Sequence, residues 1–256
     1  MKRFFCLLAA LVCLCPAALG EGYALPADLS PAPAASESGY ISATEYKDES
    51  LHVWIEDIER DDSVYHVAHV KIADPSQLRT GLSGEPGQKS KATVSQMAQA
   101  YNAVVAINGD YYLYSNKGYA VRQGTVLRKS AQTEYDMLVI DAAGDFHAVR
   151  KPTKAKIKEA LALDVVNCFT FGPVLVMDGE RQTVYNQYGF AAQDRSPRTA
   201  IGQTGPLEYA LVVADGRQEH SRGVTHKQLA QFMADIGCTV AFNLDGGASS
   251  TLWFGG

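Results

Sequence analysis

The chain has 256 residues, with 23 Lys and Arg against 28 Asp and Glu, so its formal net charge is −5. Nucleic-acid-binding proteins normally present a basic face, so this excess of acidic side chains argues against that class. After the first 20 residues, no segment approaches the roughly 20 consecutive apolar residues that a transmembrane helix needs.

The first 20 residues have the three parts of a secretory signal peptide. Lys2 and Arg3 form a basic start, residues 4–14 are almost wholly apolar, and residues 18–20 offer a small-x-small cleavage site. The sequence therefore predicts a signal peptide over 1–20 and a secreted or extracytoplasmic mature protein. Cleavage would leave 21 basic and 28 acidic side chains, a net charge of −7.

Two cysteines remain after this cleavage, Cys168 and Cys238. In an oxidising compartment they could pair, or they could stay as two buried free thiols, and sequence alone leaves both alternatives open. Residues 21–39 are dominated by Ala, Pro, Ser and Glu, which predicts a flexible tether. The remainder, 40–256, fits one domain of ordinary size.

The first half of the domain begins with strand-like alternation. Residues 51–73 are predicted as a hairpin that turns at Asp61 and Asp62. One side of its second strand carries Val64, His66, Ala68, Val70 and Ile72. Residues 81–91 lack periodicity and are predicted as a loop. Residues 93–96 form a capping box that opens a short helix, and an apolar strand over 103–107 follows it.

The second half of the domain ends with the same order of capping box, helix and strand. Its predicted elements are a hairpin over 137–149, a Lys-rich helix over about 153–163, and strands over 172–177, 200–202 and 209–213. A second capping box, 225–228, opens a helix that Gly237 closes, and a strand over 239–242 follows. Strands outnumber helices, so the predicted fold class is α+β: a single domain with a mixed β-sheet and a few packed helices.

The strands 103–107 and 239–242 both run directly into loops rich in Asn, Asp and Gly. Ligand groups commonly gather beyond the carboxyl ends of strands, so these loops are the first site candidates. In the second loop, Gly246 and Gly247 would let backbone amides approach a ligand. In the first, a carboxylate beside two tyrosines suits sugar recognition, although an Asn-Gly turn with core tyrosines explains it equally well.

Two arginines stand at further strand ends. Arg198 precedes a strand, where its rigid guanidinium could hold a phosphate or carboxylate in a bidentate manner. Asp215 and Arg217 bracket a tight turn, for which a simple surface turn is an equally good interpretation. His220 and His226 lack the spacing of metal ligands, and neither is assigned a role.

Five segments taken together resemble the phosphodiester glycosidase family, the group of the uncovering enzyme. They occur in family order and are residues 108–112, 171–176, 196–202, 215–217 and 243–251. The resemblance implies hydrolysis of the glycosidic bond of a sugar 1-phosphodiester of the N-acetylglucosamine-phosphate-glycan type, with release of sugar and a phosphate monoester. Ala248 replaces a glycine that is usual in the family. Family domains generally continue beyond this motif, so the domain over 40–256 is a candidate C-terminally truncated form.

The resemblance suggests a set of site residues. Asp245 or Asp110 would act as base or nucleophile, and Arg198 would hold the phosphate. The candidate substrate-binding residues are Asn108, Gly109, Tyr112, Asp215, Arg217, Asn243, Gly246, Gly247, Ser249, Ser250 and Thr251. A glycan or sugar phosphate is the expected partner, no cofactor is expected, a divalent metal stays open, and the oligomeric state is unknown.

Two other functions stay open at this point. One is a metal-dependent phosphodiesterase that cleaves the P–O bond, with Asp110, Asp215 and Asp245 as oxygen ligands. The other is a non-catalytic glycan-binding module that attaches to the cell wall through the tether. Chelator sensitivity would favour the first, and binding without turnover would favour the second.

Overall fold

The computed structural model describes residues 29–130, 133–184 and 193–255. The predicted signal peptide lies outside them. The helices in these ranges are α1 (Val94–Ala100), α2 (Lys154–Ala160) and α3 (His226–Asp235). The strands are β1 (Tyr40–Ser42), β2 (Glu45–Lys47), β3 (Leu51–Arg60), β4 (Ser63–Ile72), β5 (Val105–Ile107), β6 (Tyr119–Arg122), β7 (Thr125–Lys129), β8 (Asp136–Asp141), β9 (Phe146–Val149), β10 (Val165–Phe171), β11 (Val174–Met177), β12 (Glu180–Arg181), β13 (Arg198–Gly205), β14 (Glu208–Ala214), β15 (Val240–Asn243) and β16 (Leu252–Phe254).

The strands form three sheets. The largest has the order β1-β2-β3-β4-β14-β13-β15-β11-β12, the second has the order β7-β6-β10-β8-β9, and β16 pairs with β5 alone. Every pairing in the described ranges is antiparallel, so the expected mixed sheet is wrong. The physical reason is that the helices do not serve as crossovers between neighbouring parallel strands. The strand-dominated α+β class is confirmed.

Both faces of the largest sheet are covered. One face packs on the second sheet through a core that includes Val70, Leu138 and Phe242. The other face packs on α3, where the rings of Tyr65 and Phe232 stack at 3.9 Å. Burying a large side chain of this kind contributes roughly 1.5–3 kcal/mol, so α3 is held mainly by its apolar face.

The β3–β4 hairpin has the predicted turn, in which Asp61 and Asp62 both take positive φ angles, 58° and 53°. The side that the sequence predicts for the second strand is confirmed for its buried residues, since Ala68, Val70 and Ile72 lie in one core cluster. Ala68 lies in the core between the sheets, as expected, but Tyr65 and Val67 are fully buried on the opposite face. Because α3 covers that face, a central strand of this sheet does not show simple alternation.

The two capping boxes are confirmed. Thr93 accepts from the Gln96 amide and the Gln96 side chain bonds back to the Thr93 amide, which starts α1. Thr225 and Gln228 make the same reciprocal pair at the start of α3. These bonds satisfy amides that a helix otherwise leaves unpaired at its first turn. After α3, Gly237 takes a φ of 85°, as a terminating glycine does.

Of the segment predicted as a flexible tether, 21–39, the structure describes residues 29–39. Ala32 donates its amide to the Tyr101 carbonyl at 3.2 Å and accepts from the Asn102 side chain at 2.7 Å. Arg79 also donates to the Ser30 carbonyl at 2.9 Å. These bonds attach Ser30 and Ala32 to the domain. Composition could not reveal this because the bonds use backbone atoms of the segment.

The two cysteines do not pair. Cys168 and Cys238 are both free and buried, and they belong to different core clusters. Burial raises the pKa of each thiol to about 12, so both stay protonated at neutral pH. Of the two alternatives, buried free thiols are correct. No helix in the described ranges is long and apolar enough to cross a membrane.

Candidate active site

The two Asn-rich loops meet, as the sequence predicts, although by a different route. Strand β5 belongs to the two-stranded sheet, whereas β15 belongs to the largest sheet, so the loops are not neighbours at one sheet edge. Asn108 joins them by donating from Nδ2 to the Asp245 carbonyl at 2.7 Å. In return the Asp245 amide donates to the Gly109 carbonyl at 3.2 Å.

Asn108 connects two further segments. Its Oδ1 accepts from the Thr199 hydroxyl at 2.8 Å and from the Thr251 amide at 3.0 Å. Both ends of this side chain are therefore used inside the protein. Asn108 acts as a bracket for the loops rather than as a group offered to a ligand.

The paired glycines pack against the segment that carries Arg198. The Gly247 amide donates to the Pro197 carbonyl at 2.9 Å, and Gly247 has a φ of 64°. A Cβ on Gly246 would lie 2.9 Å from the Pro197 carbonyl oxygen, and one on Gly247 would lie 3.5 Å from an Arg217 Nη atom. A side chain at Gly246 would clash with the Pro197 carbonyl, and the positive φ of Gly247 favours glycine there.

Arg198 is a nearly buried cation, 9% exposed. It donates from Nε to the Val224 carbonyl at 3.2 Å and from Nη2 to the Asp194 carbonyl at 3.0 Å. Burial lowers the pKa of Arg198 to about 10 and the charge of Arg217 adds to this, while Asp194 opposes it. At neutral pH Arg198 remains charged. Arg198 and Arg217 lie against Gly246 and Gly247, and we call these four residues the arginine–glycine cradle. Both glycine amides donate inside the protein, so the cradle offers an anion its guanidinium groups.

Asp245 lies directly beside this cradle and is half-buried. Its Oδ1 accepts from the Gly246 amide at 2.9 Å, while Oδ2 has no hydrogen-bond partner among the residues that the structure describes. Burial raises the pKa of Tyr111, and the Asp245 carboxylate adds to that rise. The carboxylate therefore stands within electrostatic range of Tyr111 on one side and next to the cradle on the other.

Asp110 has a different environment. It forms an ion pair with Arg122, and the two side chains are only 3% and 4% exposed. Arg122 also donates to the Cys168 carbonyl at 2.6 Å and lies 4.0 Å from the Phe169 ring centroid. A carboxylate neutralised in this way is a poorer base or nucleophile than Asp245. The geometry thus separates the two carboxylates that the sequence left as equal alternatives.

Asp215 does not join the other two carboxylates. Its Oδ2 lies 3.8 Å from the Nε2 atoms of both His66 and His220, while Arg217 from the same turn reaches the cradle. The described part of the chain contains no group of three or more His, Cys, Asp or Glu that could hold a metal ion. The ligand set suggested for a phosphodiesterase, Asp110, Asp215 and Asp245, is not assembled.

A cavity of about 300 Å³ opens on the Tyr111 side of Asp245. We call it the tyrosine cavity. Its lining residues are Asp110, Tyr111, Tyr112, Tyr114, Ser115, Asn116, Lys117, Arg128, Tyr135, Thr170 and Phe171. Tyr112 was predicted to bind substrate, and it contributes to this wall.

Comparison with known proteins identifies the family of this chain. Residues 101–256, more than half of the chain, match the family model described as phosphodiester glycosidase. The chain belongs to the phosphodiester glycosidase family. The matched range contains the Asn108 bracket, the cradle, Asp245 and the tyrosine cavity.

Relatives of this phosphodiester glycosidase domain include characterised and uncharacterised proteins. Mouse N-acetylglucosamine-1-phosphodiester alpha-N-acetylglucosaminidase is 28% identical over 209 residues, which are 73% of this chain and 39% of the mouse protein. The SPbeta prophage-derived uncharacterized protein YomE of Bacillus subtilis (strain 168) is 26% identical over 168 residues, 64% of this chain and 26% of that protein. The chain thus spans well under half the length of either.

Solved structures share the fold. The zebrafish N-acetylglucosamine-1-phosphodiester alpha-N-acetylglucosaminidase catalytic domain, described as auto-inhibited by its pro-peptide, aligns with a TM-score of 0.61 at 23% identity, covering 87% of this chain and 77% of that one. A hypothetical protein from Synechocystis aligns with a TM-score of 0.54 at 15% identity, covering 84% and 60%. At these identities the likeness concerns the fold.

The remaining predicted residues of the phosphodiester glycosidase domain support the loops. Asn243 is 3% exposed and donates to the Gly172 carbonyl at 3.0 Å. Ser249 ends a single 3-10 turn that begins at Gly247, and the Ser250 hydroxyl is buried without a hydrogen-bond partner. The Thr251 amide bonds Asn108. These groups shape the loop, and only Ser249 among them is exposed.

Sequence reasoning missed three functional neighbours. Arg122 and Arg128 are single basic residues in short strands, and nothing in their spacing marks them as partners of the Asn108 loop. His226 was named without a role, yet it is 2% exposed and lies beside Arg198 and Asn243. A capping box that places a histidine at the first position of a buried helix was the available signal.

Proposed function

We propose that this chain is an exported hydrolase that cleaves the glycosidic bond of a sugar 1-phosphodiester and releases the sugar and a phosphate monoester. The observation that carries the proposal is the position of Asp245, whose carboxylate stands directly beside the cradle formed by Gly246, Gly247, Arg198 and Arg217. The reaction needs a carboxylate at the anomeric carbon and a site that neutralises the departing phosphate, and this arrangement would offer both.

The cradle would serve the leaving group. When the bond between the anomeric carbon and oxygen breaks, the electron pair goes to the phosphate oxygen and the phosphate gains negative charge. A phosphate monoester needs neutralisation of this charge more than it needs a proton, and the guanidinium groups of Arg198 and Arg217 would supply it. Arg198 is already desolvated, which strengthens its interaction with an anion.

Asp245 would act at the anomeric carbon, where positive charge develops in an oxocarbenium-like transition state. If its carboxylate attacks the carbon, the released sugar retains its anomeric configuration; if it deprotonates a water, the configuration inverts. In both courses water supplies the new hydroxyl of the sugar. Asn108 would act indirectly, by fixing the loop on which Asp245 stands.

The mouse relative supports the choice of substrate class, because its name specifies an N-acetylglucosamine-1-phosphodiester. At 28% identity the sugar itself is part of the proposal. N-acetylglucosamine-1-phospho-methylmannoside is therefore the first substrate to test. The contacts of Asp110 with Arg122 and of Asp215 with His66 favour the glycosidase over the metal-dependent phosphodiesterase.

The experiment compares the mature protein with Asp245→Asn and Asp178→Asn. Asp178 lies in the β11–β12 turn with a φ of 54°, which asparagine tolerates, so it is the matched control. We expect N-acetylglucosamine release by the parent and the control, and a loss of about 10²-fold or more in Asp245→Asn. Sugar binding without any turnover, unchanged by Asp245→Asn, would instead indicate a glycan-binding module.

A further inference from the structure

The tyrosine cavity has unusually exposed aromatic walls. Tyr111 is 37% exposed and Tyr114 is 61% exposed, whereas aromatic side chains usually bury most of their surface. Tyr111 meets Phe171 edge to face at 5.1 Å, so the wall is a packed aromatic layer and not a set of loose side chains. Aromatic rings presented in this way stack on the apolar faces of pyranose sugars.

The charges around this wall are mostly positive. Arg128 and Lys117 line the cavity, and Lys89 Nζ lies 5.3 Å from the Tyr114 ring centroid. Asp110 is the one acid among the described lining residues; its Oδ1 is paired with Arg122, and its charge also acts on Arg128. Glu134 lies only at 4.0 Å from Lys117 and is 82% exposed, so it neutralises little.

The Nη2 group of Arg128, which carries two N–H donors, is not used by the bonds that hold the rest of its guanidinium. Its other donors bond the Tyr112 carbonyl, the Ser115 carbonyl at 3.1 Å and the Gly118 carbonyl at 3.3 Å. Nη2 is buried and has no hydrogen-bond partner among the described residues. A buried charged donor without an acceptor is costly, so an anionic acceptor in the cavity would relieve that cost.

Asp245 connects this cavity to the arginine–glycine cradle. Its backbone pairs with Gly109, two residues before Tyr111, and its own next residues are Gly246 and Gly247. A substrate with its phosphate in the cradle and its anomeric carbon at Asp245 would extend its sugar ring towards Tyr111. The sugar would then lie against the aromatic wall and near Nη2 of Arg128.

We propose that the tyrosine cavity binds the sugar ring that is released, and that it selects a pyranose carrying a negatively charged substituent. The inference rests on the proposed function for its orientation. Arg128 and Lys117 bind the substituent, while Tyr111 and Tyr114 pack on the ring. A carboxylate and a second phosphate group share this chemistry, so the cavity prefers a uronic acid or a phosphorylated sugar to the neutral N-acetylglucosamine of the first test substrate.

The test measures binding of free sugars to the mature protein by NMR titration, which needs no turnover. Glucose, glucuronic acid and glucose 6-phosphate are compared. We expect at least one anionic sugar to bind about tenfold or more tightly than glucose, because a charge-assisted hydrogen bond contributes enough for that ratio. Whichever of the two binds more tightly identifies the substituent. Equal affinity for all three sugars would overturn the proposal.

Two exposed lining residues provide variants that leave the fold intact. Lys117→Gln should weaken the binding of the anionic sugars by about twofold to fivefold and leave the binding of glucose unchanged. Tyr114→Ala should weaken all three sugars. Lys158→Gln on α2 is the matched control, since Lys158 is exposed and outside the cavity. An unchanged preference in Lys117→Gln, together with unchanged affinities in Tyr114→Ala, would place sugar binding elsewhere.

Turnover measurements distinguish a failure of this proposal from a failure of the proposed function. The 1-phosphodiesters of glucose and of glucuronic acid are compared as substrates, and kcat/KM should follow the order of sugar affinities. Turnover of both at equal kcat/KM would overturn the selectivity and leave the hydrolase intact. Selective binding without turnover of any phosphodiester would overturn the hydrolase and support the anionic-sugar cavity.

Discussion

Arg198 combines a positive charge with a nearly buried side chain, and both properties follow from its place at the start of β13. We expect Arg198→Met to lower kcat/KM for a sugar 1-phosphodiester by about 10²- to 10³-fold, because a fixed cation at the leaving phosphate is lost. Steady-state kinetics measure this loss. Thermal unfolding of the variant shows how much of it comes from the fold.

A matched control for Arg198 is Arg222→Met. Arg222 has a side chain that is 67% exposed, and its nearest acidic partner is Asp62 at 3.9 Å. Losing that charge should change kcat/KM by less than about threefold, since exposed charge pairs contribute little. Full turnover in Arg198→Met would mean that the phosphate is held elsewhere.

His226 gives the domain a dependence of stability on pH. Burial, aided by the charge of Arg198, lowers the pKa of His226 from 6.5 to about 3. Between these values the unfolded chain binds a proton at this residue and the folded chain does not. The contribution of His226 to the free energy of unfolding is therefore complete above pH 6.5 and is lost as the pH falls towards 3, at up to about 1.4 kcal/mol per pH unit.

The prediction is tested by chemical unfolding of His226→Gln and His220→Gln between pH 4 and pH 7. His226→Gln should lose stability less steeply on acidification than the parent, whatever its stability at pH 7. His220 is 64% exposed and should leave the slope unchanged. A parent-like slope in His226→Gln would show that His226 titrates normally in the folded protein.

At the scale of elements, local features were predictable and distant pairings were not. The β3–β4 turn and both capping boxes depend on residues within four positions of each other, so the sequence shows them directly. Asn108, by contrast, bonds residues 91, 137 and 143 positions away. Periodicity holds no information about such partners, which is why the site loops were predicted and the bracket was missed.

The contact between α3 and the largest sheet depends on Gly202 in β13. A Cβ at this position would lie 2.5 Å from Cys238 Sγ and 2.9 Å from Met233 Cε. We expect Gly202→Ala to lower the free energy of unfolding by about 1–3 kcal/mol, because α3 or the strand must shift. Urea unfolding monitored by circular dichroism measures the change.

Gly205→Ala in the same strand is the matched control. Its nearest new contact would be a Glu208 oxygen at 3.7 Å, an ordinary separation. The change in stability should stay within about 0.5 kcal/mol. Equal destabilisation by the two substitutions would mean that loss of glycine in β13, and not the contact with α3, is responsible.

For the whole molecule, the strand-dominated α+β class followed from the count of strands and helices, but the division into separate antiparallel sheets did not. The order of the largest sheet places β14 beside β4 and β15 between β13 and β11, pairings that no local pattern predicts. This arrangement puts Arg198 and Asp245 at the ends of two adjacent strands, β13 and β15. The site therefore depends on the whole sheet.

Cleavage of the bond between the anomeric carbon and oxygen distinguishes the proposed glycosidase from a phosphodiesterase. The most direct measurement is hydrolysis of N-acetylglucosamine-1-phospho-methylmannoside in oxygen-18 water, with and without chelator, followed by mass spectrometry of both products. We predict the label in the released sugar and the same result with chelator. Label in the phosphate would contradict the account, because it would show cleavage of the P–O bond.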